Sequence, residues 1–256
     1  MAFDDPIVYP GQPGKSHLHA FFGNTGLDAN STATSIATAG NSTCRGGTIN
    51  RSGYWVPAMI DTGDGAPVRP STLIVYYKTG YRGVKAADVR PFPPGLRMIA
   101  GNPNAVGPGN VNDPIAHYTC NGNNPWTFEI PNCAPGTSVW ATILFPQCWD
   151  GVNIDSPDHR SHMTYSIPGK GCPATHPVPL PEVAFNLLYA VTAANQPTRW
   201  RLASDTYNKS QPGGYSFHGD WFGGWKRDIL QTWVKNCDDA SVDCFAHLLG
   251  DGRMMY

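Results

Sequence analysis

The stretch Pro181-Glu-Val-Ala-Phe-Asn-Leu-Leu-Tyr-Ala-Val-Thr-Ala-Ala194 decides the fold, because its residues suit two different elements. Its Ala and Leu content would serve a helix, whereas Pro181 ahead of it and the apolar run through Val191 suit a buried strand. We read residues 183–191 as a strand because of what surrounds them. Runs rich in β-branched and aromatic residues recur at 54–59, 71–78, 96–100, 127–130, 138–145, 162–167 and 199–203, separated by clusters of Gly, Pro, Asn and Asp. The 256 residues include 28 Gly and 24 Pro, about a fifth of the chain against a usual sum near ~12%. All but two of the 19 acidic residues are Asp, which favours turns over helix interiors. A helical bundle is excluded, and a hydrophobic fraction of 41% excludes disorder.

The expected architecture is all-β, or β-rich α+β: one domain over residues 1–256, built as a sandwich or jelly roll with long loops and a C-terminal helix. That helix is placed at 220–238, where Trp225, Ile229 and Trp233 recur at four-residue spacing beside Leu230. Segments 24–51 and 101–117 read as loops walling a cleft.

Net charge is −1 without a Lys/Arg cluster, so the electrostatic footprint of a nucleic-acid or anionic-membrane binder is missing. No apolar run approaches the ~18 residues of a membrane helix, and MAFDDPIVYPG lacks the pattern of an export signal. A soluble monomer with a neutral or small partner is expected. Seven cysteines occur without a CxxC pair, which favours disulfides over zinc or dithiol redox motifs. Cys120 with Cys133, Cys148 with Cys172 and Cys237 with Cys244 are natural local pairings that leave Cys44 odd, although six cysteines allow about 15 connectivities. Disulfides imply a secreted protein; seven reduced, buried cysteines in a cytosolic one are the alternative.

Three polar clusters could carry chemistry. In Ser16-His17-Leu-His19, an extended backbone puts both imidazoles on one side. Between Asp150 and His162 fall Asp150, Asp155, Asp158, His159 and His162, and Ser156-Pro157 has the signature of a helix start, which would give Asp155, Asp158, His159 and His162 a common face. In Phe217-His218-Gly-Asp220-Trp221, Asp220 reads first as an N-cap of the following helix, and His218 as a third partner for His17 and His19. His176 is expected in a turn near a disulfide, while His117 and His247 are read as surface or core residues. Trp149 and Trp221 adjoin these clusters and are the candidates to stack on a sugar ring. No GxSxG, Walker loop, dinucleotide fingerprint or HExxH occurs.

Several long motifs, SHLHAFFGN (16–24), YWVPAM (54–59), PFPPGLRMIAG (91–101), FPQCWDGVNIDSPDHRSHMTY (145–165), CPATHPVPLP (172–181) and FHGDWFGGW (217–225), resemble the domain-of-unknown-function family nineteen ninety-six. The resemblance spans essentially the whole chain. It implies extracellular proteins of fungi and actinobacteria, sometimes joined to carbohydrate-binding modules, and a polar residue, often Asp, where this chain has Ala20.

The first functional expectation is a secreted glycoside hydrolase that needs no cofactor and acts on a cell-wall or extracellular polysaccharide or oligosaccharide. Asp155 or Asp158 would be the general acid, its pKa raised by the neighbouring carboxylate, with the other or Asp150 as base or nucleophile. His159 and His162 would tune them, and His17, His19, Arg97, Trp149, His218, Asp220 and Trp221 would bind substrate. The second expectation is an oxidoreductase whose copper or zinc is held by His17, His19 and His218. A noncatalytic glycan-binding module is the third.

Overall fold

The structure is a computed structural model that describes residues 1–245 and 248–255, so His247 lies outside the described residues. In chain order the strands are β1 (His19–Gly23), β2 (Gly53–Pro57), β3 (Met59–Asp61), β4 (Pro67–Val68) and β5 (Thr72–Lys78). Then come β6 (Arg97–Gly101), β7 (Ala116–Cys120), β8 (Asn123–Thr127), β9 (Ser138–Leu144) and β10 (Cys148–Trp149). The last are β11 (Met163–Thr164), β12 (Val178–Pro179), β13 (Glu182–Ala190), β14 (Trp200–Leu202) and β15 (His218–Phe222). Two short α-helices, α1 (Ser35–Thr38) and α2 (Arg227–Trp233), accompany them, with short 3₁₀ and π turns between elements. The protein is β-rich, with four antiparallel sheets and a short C-terminal helix.

The ambiguous stretch is a strand. β13 runs between β5 and β9 in a five-stranded sheet of order β5-β13-β9-β7-β8, its register pairing Phe185 with both Val75 and Ile143. A strand hydrogen-bonded on both sides and buried along most of its length needs the near-continuous apolar run that made helix and strand hard to separate.

A four-stranded sheet, β1-β2-β15-β6, packs across the main core from it. Tyr54 on β2 meets Phe185 edge-on at 5.6 Å. Gly219 on β15 is one place where the two sheets approach closely: a Cβ there would lie 3.1 Å from Ile143 and 3.3 Å from Phe145. Any larger residue there would have to push the Ile143 and Phe145 side chains back by a few tenths of an ångström.

Several sequence expectations shift. The helix placed at 220–238 begins later, at Arg227, and passes at Val234–Asp238 into a π-turn; residues 218–222 are instead a central strand. Asp220 therefore caps no helix. The strand expected at 162–167 shrinks to Met163–Thr164, and the one at 127–130 lies earlier, at Asn123–Thr127. Segment 24–51 holds α1 and a 3₁₀ turn, and the loop from 101 ends at Ala116, where β7 begins.

Three disulfides form, Cys120–Cys133, Cys148–Cys172 and Cys237–Cys244, with Cys44 free. Cys148–Cys172 closes the base of the loop that carries Asp150 to His162. Among the described residues no helix is long and apolar enough to cross a membrane.

Candidate functional site

The four-stranded sheet has one face in the main core. Alternation puts Ala20, Tyr54, Val56, Trp221, Met98 and Ala100 on that face. The opposite face carries His19, His218 and Asp220 beside a smaller apolar cluster of Ile7, Ile36, Trp55, Ile99 and Phe222. Ala20 is thus turned away from the imidazoles, and a polar residue in its place would enter the core.

Register brings the histidines together. His19 pairs with Pro57, and Asp220 pairs with Trp55 on the same strand β2. His218 lies two residues before Asp220 on β15, so the two imidazoles come from the strands either side of β2. His17 joins them from the segment before β1. Ring centroids are 4.2 Å apart for His17 and His19, 5.0 Å for His17 and His218, and 5.8 Å for His19 and His218. One nitrogen from each lies within 4.8 Å of the others.

Second partners fix the tautomers. His19 Nδ1 is 3.0 Å from the Asp4 carbonyl oxygen, and His218 Nδ1 is 2.8 Å from that of Ser216. A carbonyl oxygen only accepts, so Nδ1 carries the proton on each ring and Nε2 keeps its lone pair. The Nε2 atoms of His17 and His19 are buried without a hydrogen-bond partner among the described residues. Burial pushes His17 down to about 4 and His218 down to about 3, with repulsion from His17 as the next cause for His218. His19 is held well below the ordinary imidazole range by burial and then by its two histidine neighbours. Three neutral imidazoles with aimed lone pairs, two of them anchored through Nδ1–H to main-chain carbonyls, are the donor set and outer shell of a zinc or copper centre.

Asp220 lies two residues from His218 on the same face and is 1% exposed, and among the described residues neither carboxylate oxygen has a hydrogen-bond partner. Burial, followed by the nearby Asp5 carboxylate, pushes its carboxyl well above the usual range. Asp5 belongs to the N-terminal segment that covers this face and accepts from the amides of Ile7 and Val8. Arg160 reaches in from the 145–165 loop, its Nη1 3.4 Å from the Ile99 carbonyl.

The Asp150–His162 loop is organised differently from the expected helical face. It forms turns, with His159 in the left-handed region at φ 58°. Asp155 takes Arg97 Nη1 at 3.0 Å on one oxygen and His159 Nδ1 at 2.9 Å on the other. Asp158 is spent on the turn itself, accepting from the amides of Arg160 and Ser161 and the hydroxyls of Ser156 and Ser161. The Ser161 amide first, then the Ser156 hydroxyl, hold its carboxyl far below the ordinary range, the reverse of the raised value expected of a general acid. For Asp150, burial works upward, but the amides of Val152 and Asn153 and the Asn153 side chain together hold it low. His162 is buried, with Nε2 donating to the Arg97 carbonyl at 2.7 Å and Nδ1 2.9 Å from Ser156 Oγ. Asp155 and His159 are brought together; Asp150, Asp158 and His162 face other partners.

Of the aromatic candidates, Trp221 lies wholly in the main core, 4.7 Å from Phe92, and donates to Tyr77 Oη at 3.3 Å, so no sugar can stack on it. Trp149 is half-buried, its Nε1 donating to the Asn153 carbonyl. Arg97 lies over the Phe222 ring while it binds Asp155. His176 sits in an exposed turn against the Ser161 carbonyl, and His117 packs 5.9 Å from Trp126. Sequence reasoning missed Asp5, the Asp4 carbonyl and Arg160; the one signal was the acidic pair Asp4-Asp5 ahead of an apolar Ile7.

No curated protein and no solved structure matches this chain. A family profile described as "Domain of unknown function (DUF1996)" matches residues 5–225, from the Asp5 that faces Asp220 to the Trp225 that precedes α2. The three histidines, Asp220 and the Arg97–Asp155–His159 array all fall within that match, and the chain belongs to the DUF1996 family.

Proposed function

We propose that this protein is an extracellular metal-dependent enzyme acting on polysaccharide, with zinc or copper held by His17, His19 and His218. The observation that carries this reading is the set of three neutral imidazoles with one nitrogen each within 4.8 Å of the others, two of them with Nδ1–H fixed on a carbonyl, and His17 and His19 with a buried Nε2 that has no partner among the described residues. Three protein ligands leave a fourth position for water or substrate, the arrangement of catalytic rather than closed structural sites. The metal would supply Lewis acidity or an activated water, and with copper a redox couple. The disulfides support an oxidising compartment. Support for a glycan substrate comes from half-buried Trp149 on the loop that also carries His159.

The two-carboxylate hydrolase is the second reading, favoured by one feature. Asp155 is anchored by Arg97 and holds His159 through Nδ1, the arrangement of a base oriented by an acid. Incubating the protein with a glycan panel, with and without chelator, and weighing the products separates the two. The metal reading expects products that vanish with chelator and persist in Asp155→Asn. Products indifferent to chelator and abolished in Asp155→Asn would overturn it in favour of the second.

A further inference from the structure

We propose that Asp220 is the outer-sphere partner of the metal's open position, accepting a hydrogen bond from the water bound there and disfavouring anions at that position by its charge. This rests on the tri-histidine reading above and deepens it. β15 aims His218 and Asp220 at the same side of the sheet, one strand residue apart in the pleat. Among the described residues the ligand-atom cluster contains the three histidines and not Asp220, which stands two residues along β15 from His218.

Among the described residues neither of the Asp220 oxygens accepts a hydrogen bond, and the indole N–H of its sheet neighbour Trp55 is buried and unpartnered as well. Its lateral neighbours in the sheet are Trp55 and Ile99, and its facing carboxylate, Asp5, is turned to the amides of Ile7 and Val8. Arg160, the nearby cation, gives Nη1 to the Ile99 carbonyl, and no ion pair joins it to Asp220 among the described residues. A buried carboxylate with no donor is among the most costly groups a fold can hold, and such groups are ordinarily met by a partner. A metal-bound water is a strong donor, and the cation behind it offsets the buried negative charge. The carboxylate in turn fixes which way the water's lone pair points and repels a second negative charge.

The test uses cobalt(II) as a spectroscopic probe in the whole protein, with azide titrated against the visible absorption of the bound ion. Wild type and Asp220→Asn should each take up one cobalt, and the Asn variant should bind azide at least about tenfold more tightly, since a neutral isostere removes the repulsion. Asp220→Glu, which restores the charge, should return azide affinity toward wild type. The wild-type protein gives a reading that needs no variant: its cobalt should take neutral imidazole in preference to azide. Equal azide affinity in the Asn variant, preference for azide in wild type, or loss of cobalt from a folded Asn variant would each overturn the outer-sphere role while leaving the tri-histidine site standing. Failure of wild type to bind cobalt stoichiometrically would overturn both.

Discussion

His19 and His218 lie on β1 and β15, the two strands that flank β2, with ring centroids 5.8 Å apart, and each gives its Nδ1 proton to a main-chain carbonyl, of Asp4 and Ser216 respectively. The sheet register, and not a flexible loop, sets their separation, while His17 arrives from the segment before β1 and is the least buried of the three. His17→Ala is therefore the variant least able to disturb the fold. It should lower metal affinity by more than the ~10–100-fold that loss of an outer-sphere partner costs, with the melting temperature of the metal-free protein unchanged. Isothermal titration of the metal-free protein with zinc and with copper checks this.

Tyr77 links the two large sheets to α2. Its hydroxyl accepts from Trp221 Nε1 at 3.3 Å and Trp225 Nε1 at 3.2 Å and lies 2.8 Å from Tyr54 Oη. Tyr77→Phe leaves two indole N–H groups without an acceptor and should cost about 1–3 kcal/mol, read from the denaturant midpoint. Metal content should be unaltered, because the tyrosine lies on the core side of the sheet.

Cys148–Cys172 closes a segment with a sequence separation of 24. Replacing both cysteines by serine should destabilise the protein by roughly 3–4 kcal/mol on loop-entropy grounds. Since the same segment carries the Asp155–His159 pair, amide exchange there should quicken more than in β13.

Asp238 ends the π-turn after α2, buried and with Oδ2 unpartnered. Burial first, and the Asp239 carboxylate second, raise its pKa from 3.8 to about 7. Between these values the folded protein holds a proton that the unfolded chain has released, so this group's contribution falls as pH rises from about 4 to about 7 and is level above that. Asp238→Asn should gain stability relative to wild type as pH rises through that window. Melting curves of both proteins at intervals of one pH unit report the difference, and a gap that does not widen would contradict the assignment.

Much of the fold was legible because its strands follow simple rules: β9 alternates buried Val139, Ala141 and Ile143 with half-buried neighbours, and β13 is a near-continuous apolar run broken by Asn186. The His17-x-His19 pair was legible for the same reason, since period two gives the two side chains one side. β15 was not. All five of its residues are buried, so no alternation marks it as a strand, and the tryptophans that follow imitate a helical stripe. The Ser156-Pro157 pair promised a helix, but Asp158 turns back onto the amides of Arg160 and Ser161 and His159 enters the left-handed region, which closes a turn. The contribution of Asp5 to the site depends on its charge acting on Asp220, far away in the sequence, which no local pattern encodes.

The central claim, a metal centre on His17, His19 and His218, is tested most directly by elemental analysis of the protein purified without added metal, repeated after chelation and titration with zinc or copper. The account predicts one zinc or copper per chain, lost on chelation, restored by titration and absent from His19→Ala and His218→Ala. Substoichiometric metal that titration cannot restore, or full occupancy in those variants, would contradict it.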